Sequence, residues 1–423
     1  MKGESGVNEI NSNYVLSSKV VAMYNSMLNN ELVKQGLAYI KADQDKAIFD
    51  QKEICAIPAP PFKEAVRGEY YVQRLLALGL RDVRKDQEGN VLGIWQGIGN
   101  GPTLLVAAHL DTVFPEGIDT TVKEKDGKLY APGIADNSRS LALILSIIRA
   151  FNESNISTVG SIIFCGTVGE EGLGDLRGVK ALFRDNNQID GFIAIDGSGN
   201  ADITYLGTGS HRYRITYEGP GGHSFSDFGL PSATHALGRA IAKISDLQVP
   251  EKPKTTFTVG TIQGGAAVNV IAGKASMEVD LRSDSPEELL TLEAKLLACV
   301  QKAKQEENAR WHSDTIKVDI TLIGNRPAGS QPKNAVIIQA AWRAMHCIGE
   351  IPELCSASST DANLPMSLHI PAITLGRGGR SGGIHSLNEW FDPTDAYRAT
   401  QGVFLTILGL VGVDKISLPL LNK

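Results

Sequence analysis

Cysteine is scarce in this sequence of 423 residues. The five cysteines are an odd number at wide spacings, and no two of them form a CxxC pair. A disulfide framework or a thiolate zinc knuckle is therefore not expected, and we predict a reducing, cytoplasmic location. Long apolar runs are absent too, since none reaches the roughly 18 residues that a membrane-spanning helix needs. The polar N-terminal residues contain no signal-peptide core, so we expect no membrane partner.

An excess of positive charge is also missing. The 41 Lys and Arg residues are outnumbered by 47 Asp and Glu residues, which gives a net charge of −6. Proteins that bind nucleic acids need a net or clustered basic surface, so we expect no nucleic-acid partner. The length suggests two or three domains, at about 150 residues for each domain.

Four short apolar runs have the length and composition of buried β-strands. They cover residues 103–108, 161–167, 191–195 and 371–375. Helical patterns lie between some of these runs, and residues 19–57 also have helical periodicity. Buried strands that alternate with helices predict an α/β domain with a mainly parallel sheet.

The middle of the chain has a different pattern. Strands and helices are predicted there in the order β-α-β-β-α-β, which is typical of a ferredoxin-like unit. The predicted elements are a strand at 211–218, a helix at 231–246, strands at 255–261 and 275–283, a helix at 286–306 and a strand at 315–323. We therefore predict one domain split into residues 1–208 and 324–423, with an inserted unit of residues 209–323 between the two parts.

Metal-ligand residue types follow each of the four predicted buried strands. The carboxyl ends of parallel strands meet in one crevice, where open α/β sheets bind ligands. A further carboxylate precedes the helix that begins near residue 139. The residues concerned are His109 and Asp111, Asp136, Glu170 and Glu171, Asp196, and His385, the last after a glycine-rich loop.

Two histidines and three carboxylates form a ligand set suited to two divalent ions. Imidazole and carboxylate groups bind zinc well, and cobalt and manganese are alternatives. The adjacent pair Glu170 and Glu171 adds a catalytic group to this set. One glutamate can bind an ion while its neighbour takes a proton from water.

At these residues the sequence resembles the dizinc amidohydrolase family of aminoacylase, succinyl-diaminopimelate desuccinylase, glutamate carboxypeptidase and peptidase T. The matching segments occur in the family's order over residues 50–410. They are HLDTV at 109–113, GIADN at 133–137, TVGEEG at 167–172, IDG at 195–197, GPGGHS at 219–224, GGAAVNVI at 264–271, STDA at 359–362 and HSLNEWF at 385–391.

The resemblance implies a role for each of these polar residues. Glu170 would be the general base and would later protonate the leaving amine. Asp111 would orient the ring of a ligating histidine. The metal ligands implied by the family pattern are Asp136 as the bridge between the ions, His109 and Asp196 in one site, and Glu171 and His385 in the other.

The inserted unit resembles the family's dimerisation or lid domain, which implies a homodimer. In that family a histidine of this domain reaches the neighbouring subunit's active site, so His223 would donate to the oxyanion there. Asn269 matches a residue that helps to bind the substrate or the oxyanion. Arg282 is either a substrate-carboxylate ligand or a surface cation. The backbone N–H groups of Gly378 and Gly379 can serve an anionic end of the substrate.

The identity of one ligand bears on the substrate. Within the family, aspartate at the position of Asp196 is typical of aminopeptidases and dipeptidases, whereas glutamate is commoner in deacylases and carboxypeptidases. We therefore predict a metallopeptidase that releases the N-terminal residue of small peptides. An N-acyl-amino-acid deacylase is the alternative. A non-catalytic binding protein on the same fold is a second alternative, although binding alone does not require Glu170.

Overall fold

The computed structural model describes residues 14–185 and 188–423, so residues 1–13 of the predicted split domain lie outside it. Its helices are α1 (Ser18–Asn29), α2 (Glu31–Ala42), α3 (Gln44–Cys55), α4 (Ala65–Ala77), α5 (Ser138–Ser154), α6 (Arg177–Asp185), α7 (Ala233–Ser245), α8 (Pro286–Arg310), α9 (Val336–Cys347), α10 (Asn363–Ser367) and α11 (Tyr397–Val411). Its strands are β1 (Arg81–Lys85), β2 (Val91–Trp95), β3 (Thr103–His109), β4 (Lys123–Lys125), β5 (Lys128–Tyr130), β6 (Ser161–Thr167), β7 (Gly191–Gly197), β8 (Asp202–Thr204), β9 (Leu206–Gly207), β10 (Gly209–Glu218), β11 (Gly222–His223), β12 (Thr255–Gly264), β13 (Val270–Ile271), β14 (Lys274–Ser283), β15 (Lys317–Arg326), β16 (Gly329–Ser330), β17 (Glu353–Leu354), β18 (Ala372–Gly376), β19 (Arg380–Gly382) and β20 (Trp390–Asp392).

The largest sheet has eight strands in the order β1-β2-β6-β3-β7-β18-β8-β17. The four central strands, β6, β3, β7 and β18, are parallel to one another and correspond to the four predicted buried runs. Antiparallel pairs join β1, β2 and β6 on one side. The prediction of an α/β domain with a mainly parallel central sheet is confirmed.

Both faces of this sheet are covered at its centre, which explains why the four central strands are mostly apolar. Successive side chains of a strand point to opposite faces. In β3, Leu104 and Val106 pack into the larger core beneath α5, α9 and α11. Leu105 and Ala107 pack into a second core that includes residues of α6. A strand with one face in water would have alternated apolar and polar residues instead.

The helical pattern at residues 19–57 is divided into the three helices α1, α2 and α3. The Asn30 side chain accepts hydrogen bonds from the backbone N–H groups of Leu32, at 2.9 Å, and Val33, at 3.4 Å. Asparagine is a strong N-cap residue because its side-chain oxygen satisfies N–H groups that have no partner within the helix. The cap begins a new helix, α2, where periodicity alone predicts a continuous one.

The inserted unit contains a four-stranded antiparallel sheet in the order β12-β14-β10-β15. Helices α7 and α8 pack on it, and the chain order of these six elements is the predicted β-α-β-β-α-β. The last strand continues to Arg326, three residues beyond the predicted strand end at 323. The division of the chain after residues 208 and 323 stays a prediction.

All five cysteines are free thiols, as expected from their spacing. Cys55 and Cys165 are buried, and burial raises the pKa of the Cys55 thiol to about 12. The two buried cysteines therefore act as small apolar side chains. Among the helices of the described ranges, none combines the length and the apolar character needed to cross a bilayer.

Arg149 of α5 holds the N-terminal helices to the main domain. It donates to both carboxylate oxygens of Asp43 and, at 2.7 Å, to Asp50. Asp50 has a second partner in Arg74, at 2.6 Å, whereas Asp43 depends on Arg149. Removing one member of such a buried set leaves a buried charge uncompensated.

We predict that Arg149→Met lowers the free energy of unfolding by about 3–5 kcal/mol because Asp43 loses its cation. Urea unfolding followed by circular dichroism measures the change. Lys34→Met is the matched control, since the Lys34–Glu31 ion pair is exposed to solvent and we expect no measurable change from its loss. An equally small effect of Arg149→Met would contradict the prediction.

Candidate active site

The aligned carboxyl ends of the central strands bring the predicted site residues together. His109 is the last residue of β3 and is paired in register with Thr167, the last residue of β6. Glu170 and Glu171, which follow β6, therefore lie at the same edge of the sheet as His109. Asp196, near the end of β7, lies at this edge too. The remaining two predicted ligands, Asp136 and His385, arrive from the loop before α5 and the loop after β19.

Asp136 lies at the centre of this arrangement, with one carboxylate oxygen toward each histidine. Its Oδ1 is 3.2 Å from Nε2 of His109, and its Oδ2 is 3.2 Å from Nε2 of His385. Asp196 completes the first group, with Oδ1 3.6 Å from His109 Nε2. Glu171 completes the second group, with Oε1 3.0 Å from His385 Nε2. Two three-residue groups thus share Asp136.

The donor atoms in these groups suit two divalent ions. The ligand atoms of each group all lie within 4.8 Å of one another. Two ligands at about 2.0–2.1 Å from a tetrahedral ion are roughly 3.3 Å apart, which is close to the separations across both groups. The predicted ligands His109, Asp136, Glu171, Asp196 and His385 are therefore placed where two ions could be held.

The carboxylates attract positive charge strongly at this position. Burial alone would lower the pKa of His109, but hydrogen bonds to Asp136 and Asp196 outweigh it and raise the pKa well above its ordinary value. Hydrogen bonds to Asp136 and Glu171 raise the pKa of His385 to about 10. The negative charge that raises these two pKa values would equally favour divalent cations between the same groups.

Asp111 contacts the site through two different groups. Its backbone carbonyl oxygen lies 2.9 Å from Nδ1 of His109, which leaves Nε2 free to face Asp136. Its carboxylate accepts the backbone N–H groups of Glu170, at 3.1 Å, and Glu171, at 2.8 Å. Nδ1 of His109 thus faces the Asp111 carbonyl, with the Asp111 carboxylate Oδ1 at 3.7 Å, and the same carboxylate fixes the glutamate pair.

Glu389, which was not among the predicted site residues, holds the Asp136 loop. Its carboxylate accepts the backbone N–H groups of Gly133, at 3.0 Å, Ala135, at 2.9 Å, and Asp136, at 3.0 Å. Three N–H groups converge on one fully buried side chain, so the loop that carries the shared ligand is tied to the segment after His385. Its place in the segment HSLNEWF was the only sequence signal.

Glu170 is buried beside the two groups, and it forms a third close set with His109 and Glu171, whose donor atoms also lie within 4.8 Å of one another. Burial raises the pKa of its carboxyl group well above the ordinary value, against the opposing effect of Arg326. Nη1 of Arg326 is 3.1 Å from Oε1 of Glu170, and the same guanidinium donates to the Glu170 backbone carbonyl. Arg326 was missed because it lies at the end of β15, beyond the predicted strand.

Arg377 is a second cation that sequence reasoning missed. Its Nη1 is 3.2 Å from Oδ1 of Asp136, and its Nη2 is 3.5 Å from Oδ1 of Asp196. Hydrogen bonds to the carbonyls of Asp196, at 3.0 Å, and Gly197, at 2.9 Å, fix the guanidinium in this position. Arg139, buried in α5, supports the loop by donating to the Arg377 carbonyl at 3.0 Å. The signal for Arg377 in the sequence was its position directly after a buried strand.

Gly378 and Gly379 do not have the role predicted for them. The Gly378 N–H donates to the carbonyl of Gly199 at 2.8 Å, and the Gly379 N–H donates to the Asn200 side chain at 3.0 Å. Both N–H groups are therefore used within the chain rather than offered to a substrate. Both residues have positive φ, and a Cβ at Gly378 would lie 2.5 Å from the Ala396 carbonyl oxygen. Glycine is needed there for close packing.

One face of the inserted sheet carries arginines toward the site. Strand register places Ser210 opposite Arg282 on one side and opposite Arg326 on the other. Arg212, two residues beyond Ser210, points to the same face by the two-residue period of a strand. Arg212 and Arg282 share the carboxylate of Asp280, at 2.9 and 2.7 Å. Arg282 is thus on the face that carries these cations, its role as a substrate ligand stays a prediction, and Arg212 is an additional cation.

These arginines and the acidic residues line one cavity of about 460 Å³, which we call the main cavity. His223 and Asn269 are outside its lining and are exposed. His223 Nδ1 accepts the backbone N–H groups of Phe225, at 3.3 Å, and Ser226, at 3.2 Å, so the proton of a neutral ring is on Nε2. The N–H of Ser224 donates to the Asn269 carbonyl, which keeps the two predicted residues close.

Comparison with known proteins identifies the family of this chain and agrees with its fold. The family described as "Peptidase family M20/M25/M40" matches residues 105–408. The chain belongs to this family and is a metal-dependent peptidase or amidohydrolase. The succinyl-diaminopimelate desuccinylase of Nitrosospira multiformis is 26% identical over 364 residues, which cover 81% of this chain and 92% of that protein.

Two solved structures share the architecture. Aminopeptidase PepT from Bacillus cereus has a TM-score of 0.70 at 23% identity, over 86% of this chain and 98% of its own. A tripeptidase from Staphylococcus aureus has a TM-score of 0.72 at 23% identity, over 86% of this chain and 97% of its own. At this identity the two structures support the fold, and substrate remains a separate question.

We predict that Asp136→Ala removes more bound metal than His109→Ala, because Asp136 is the residue shared by the group that contains Asp196 and the group that contains His385. After loading with Zn²⁺ and dialysis, mass spectrometry of the metal should find two ions in the wild type, one in His109→Ala and fewer in Asp136→Ala. His235→Ala, at an exposed histidine, is the control and should retain both ions. Equal metal content in all variants would rule out the shared-ligand arrangement.

Proposed function

We propose that this protein is a dinuclear metal aminopeptidase that acts on small peptides, with Glu170 as general base. The observation that supports it most directly is the buried Glu170 carboxyl beside two histidine–carboxylate groups that share Asp136. The donor set favours zinc, with cobalt and manganese as alternatives. Aspartate at position 196 supports the aminopeptidase assignment, because the family resemblance associates aspartate there with aminopeptidases and dipeptidases.

The metal ligands are those of the two groups, His109, Asp136 and Asp196 for one ion and Asp136, Glu171 and His385 for the other. Bound ions would polarise the scissile carbonyl and lower the pKa of water at the site. Glu170, whose raised pKa suits proton exchange, accepts a proton from the attacking water and passes it to the leaving amine. Arg326 keeps the carboxylate aimed at the cavity.

Arginines of the inserted unit supply the affinity for the leaving residue in this proposal. The carboxylate of that residue binds Arg282, helped by Arg212, because a guanidinium can grip a carboxylate with two hydrogen bonds. Arg326 already contacts Glu170, so the leaving amine and the arginines lie on the same side of the site. This arrangement also supports the alternative function, an N-acyl-amino-acid deacylase, whose product carries the same carboxylate.

The two functions are distinguished by substrate. Metal-loaded protein should release the N-terminal residue from unmodified di- and tripeptides, and cleavage of N-acyl amino acids alone would establish the deacylase. The desuccinylase relatives make N-succinyl amino acids a necessary part of this screen. Failure to cleave either class with both ions bound would favour a binding protein.

Two further assignments are part of the proposal. The protein forms a homodimer through the inserted unit, and His223 donates from its exposed Nε2–H to the oxyanion in the partner's site, with Asn269 beside it. Both residues are outside the main cavity of their own chain, as a role across subunits requires. The free thiols of all five cysteines support a cytoplasmic location.

We predict that Glu170→Gln lowers kcat by about 10²–10⁴-fold, because the amide keeps the size of the side chain but cannot accept the proton. Metal content should be unchanged, since Glu170 is not needed to complete either ligand group. The control is Glu116→Gln at an exposed position, with wild-type kcat expected. Full activity of Glu170→Gln would exclude this residue as the base.

We predict that His223→Ala lowers kcat by about 10²–10³-fold at constant metal content, the usual loss for one oxyanion donor. Mixed dimers of His223→Ala and Glu170→Gln should recover activity at one of their two sites, where an intact base meets an intact histidine. Rates of purified heterodimers measure the recovery. Without recovery, the role of His223 across subunits is wrong.

A further inference from the structure

The main cavity contains one acidic side chain that the proposed chemistry does not use. Its acidic lining residues are Asp136, Glu170, Glu171, Asp196 and Asp202. The first four lie between 3.0 and 3.5 Å from a histidine or arginine nitrogen. Asp202, on the short strand β8, has no such partner among the described residues.

The contacts of the Asp202 carboxylate leave it able to bind a cation. The Ser198 hydroxyl donates to its Oδ2 at 3.0 Å, which is the one hydrogen bond of this carboxylate within the described chain. The side chain is half-buried, and a carboxylate at such a position retains a cost of desolvation that a cationic ligand relieves. Burial raises its pKa, which is consistent with the missing counter-charge.

Asp202 belongs to the main sheet, whereas three of the four arginines that line the cavity, Arg212, Arg282 and Arg326, belong to the inserted sheet. Asp202 is connected through Ser198 to the segment that carries Asp196. The fourth arginine, Arg377, already contacts Asp136 and Asp196. The cavity therefore offers an unpaired anion from the main sheet and cations from the inserted sheet.

The size of the cavity limits what can span these two charges. Pockets of about 300–1,000 Å³ hold small ligands, and 460 Å³ is at the small end of that range. Two residues of extended chain span about 7 Å. A dipeptide has an ammonium group at one end and a carboxylate at the other, which matches the two kinds of charge that the cavity offers.

We propose that Asp202 binds the free α-ammonium group of the substrate, so that the cavity selects zwitterionic dipeptides with an unblocked N-terminus. The inference rests on the proposed aminopeptidase function and adds the residue that recognises the N-terminus. Arg377 contacts Asp136 and Asp196, and bound metal ions would neutralise them further. These two carboxylates are therefore poor partners for a second positive charge, so the ammonium is directed to Asp202. Asp202 acts in binding and takes no part in proton transfer.

The test compares a dipeptide with its counterpart that lacks only the amine, alanyl-alanine with propionyl-alanine. In Asp202→Asn we expect kcat/KM for alanyl-alanine to fall about 10- to 100-fold, mainly through KM, as for loss of one charge-assisted hydrogen bond. The value for propionyl-alanine should not fall. Asp202→Glu should recover part of the loss because it restores the charge.

Metal content and circular dichroism of each variant separate local binding from damage to the fold or the ion sites. An equal fall for both substrates, or no fall for alanyl-alanine, would overturn the role of Asp202 while leaving the aminopeptidase function in place. Cleavage of propionyl-alanine but not alanyl-alanine by the wild type would overturn both. Asp119→Asn, at an exposed aspartate on the surface, is the control and should match the wild type on both substrates.

Discussion

Repulsion among buried carboxylates is the constraint on which the rest of this site depends. Asp136, Glu170, Glu171 and Asp196 meet at one sheet edge, where low exposure to water would make four negative charges costly. The chain places histidines and two arginines among them, and each arginine is held by backbone carbonyls as well. The site is thus built to carry positive charge, and most of its geometry follows from where that charge can be put.

The scaffold fixes the ligands by using backbone groups as often as side chains. Asp111 holds the N–H groups of the glutamate pair, and Glu389 holds three N–H groups of the Asp136 loop. Such contacts tie the loops to one another more than to the strands below. A ligand position therefore depends on residues that never face the cavity, which is the usual design of a metal site.

The sequence predicted the parts of this structure that short-range patterns encode. Buried strands are recognisable as apolar runs, and the polar residue after each run follows from parallel topology, so the meeting of the five candidate ligands could be predicted. Arg326 and Arg377 could not be predicted, because an arginine beside a strand is usually a surface residue and only tertiary contacts make it part of a site.

Gly378 and Gly379 were misassigned because sequence does not show which partners a backbone N–H already has. The breaks between α1, α2 and α3 depend on caps such as Asn30, which periodicity does not report.

The register of the inserted sheet has a consequence for how one active site is divided between two chains. The chain enters this sheet at β10 and leaves it at the end of β15, and Arg282, Ser210 and Arg326 form one row across the strands beside both crossings. His223 follows the far end of β10, about 26 Å along the strand from Ser210. With the roles proposed above, each active site would take its carboxylate anchor from its own chain and its oxyanion donor from the partner. A single chain would then bind a substrate without holding the complete catalytic set.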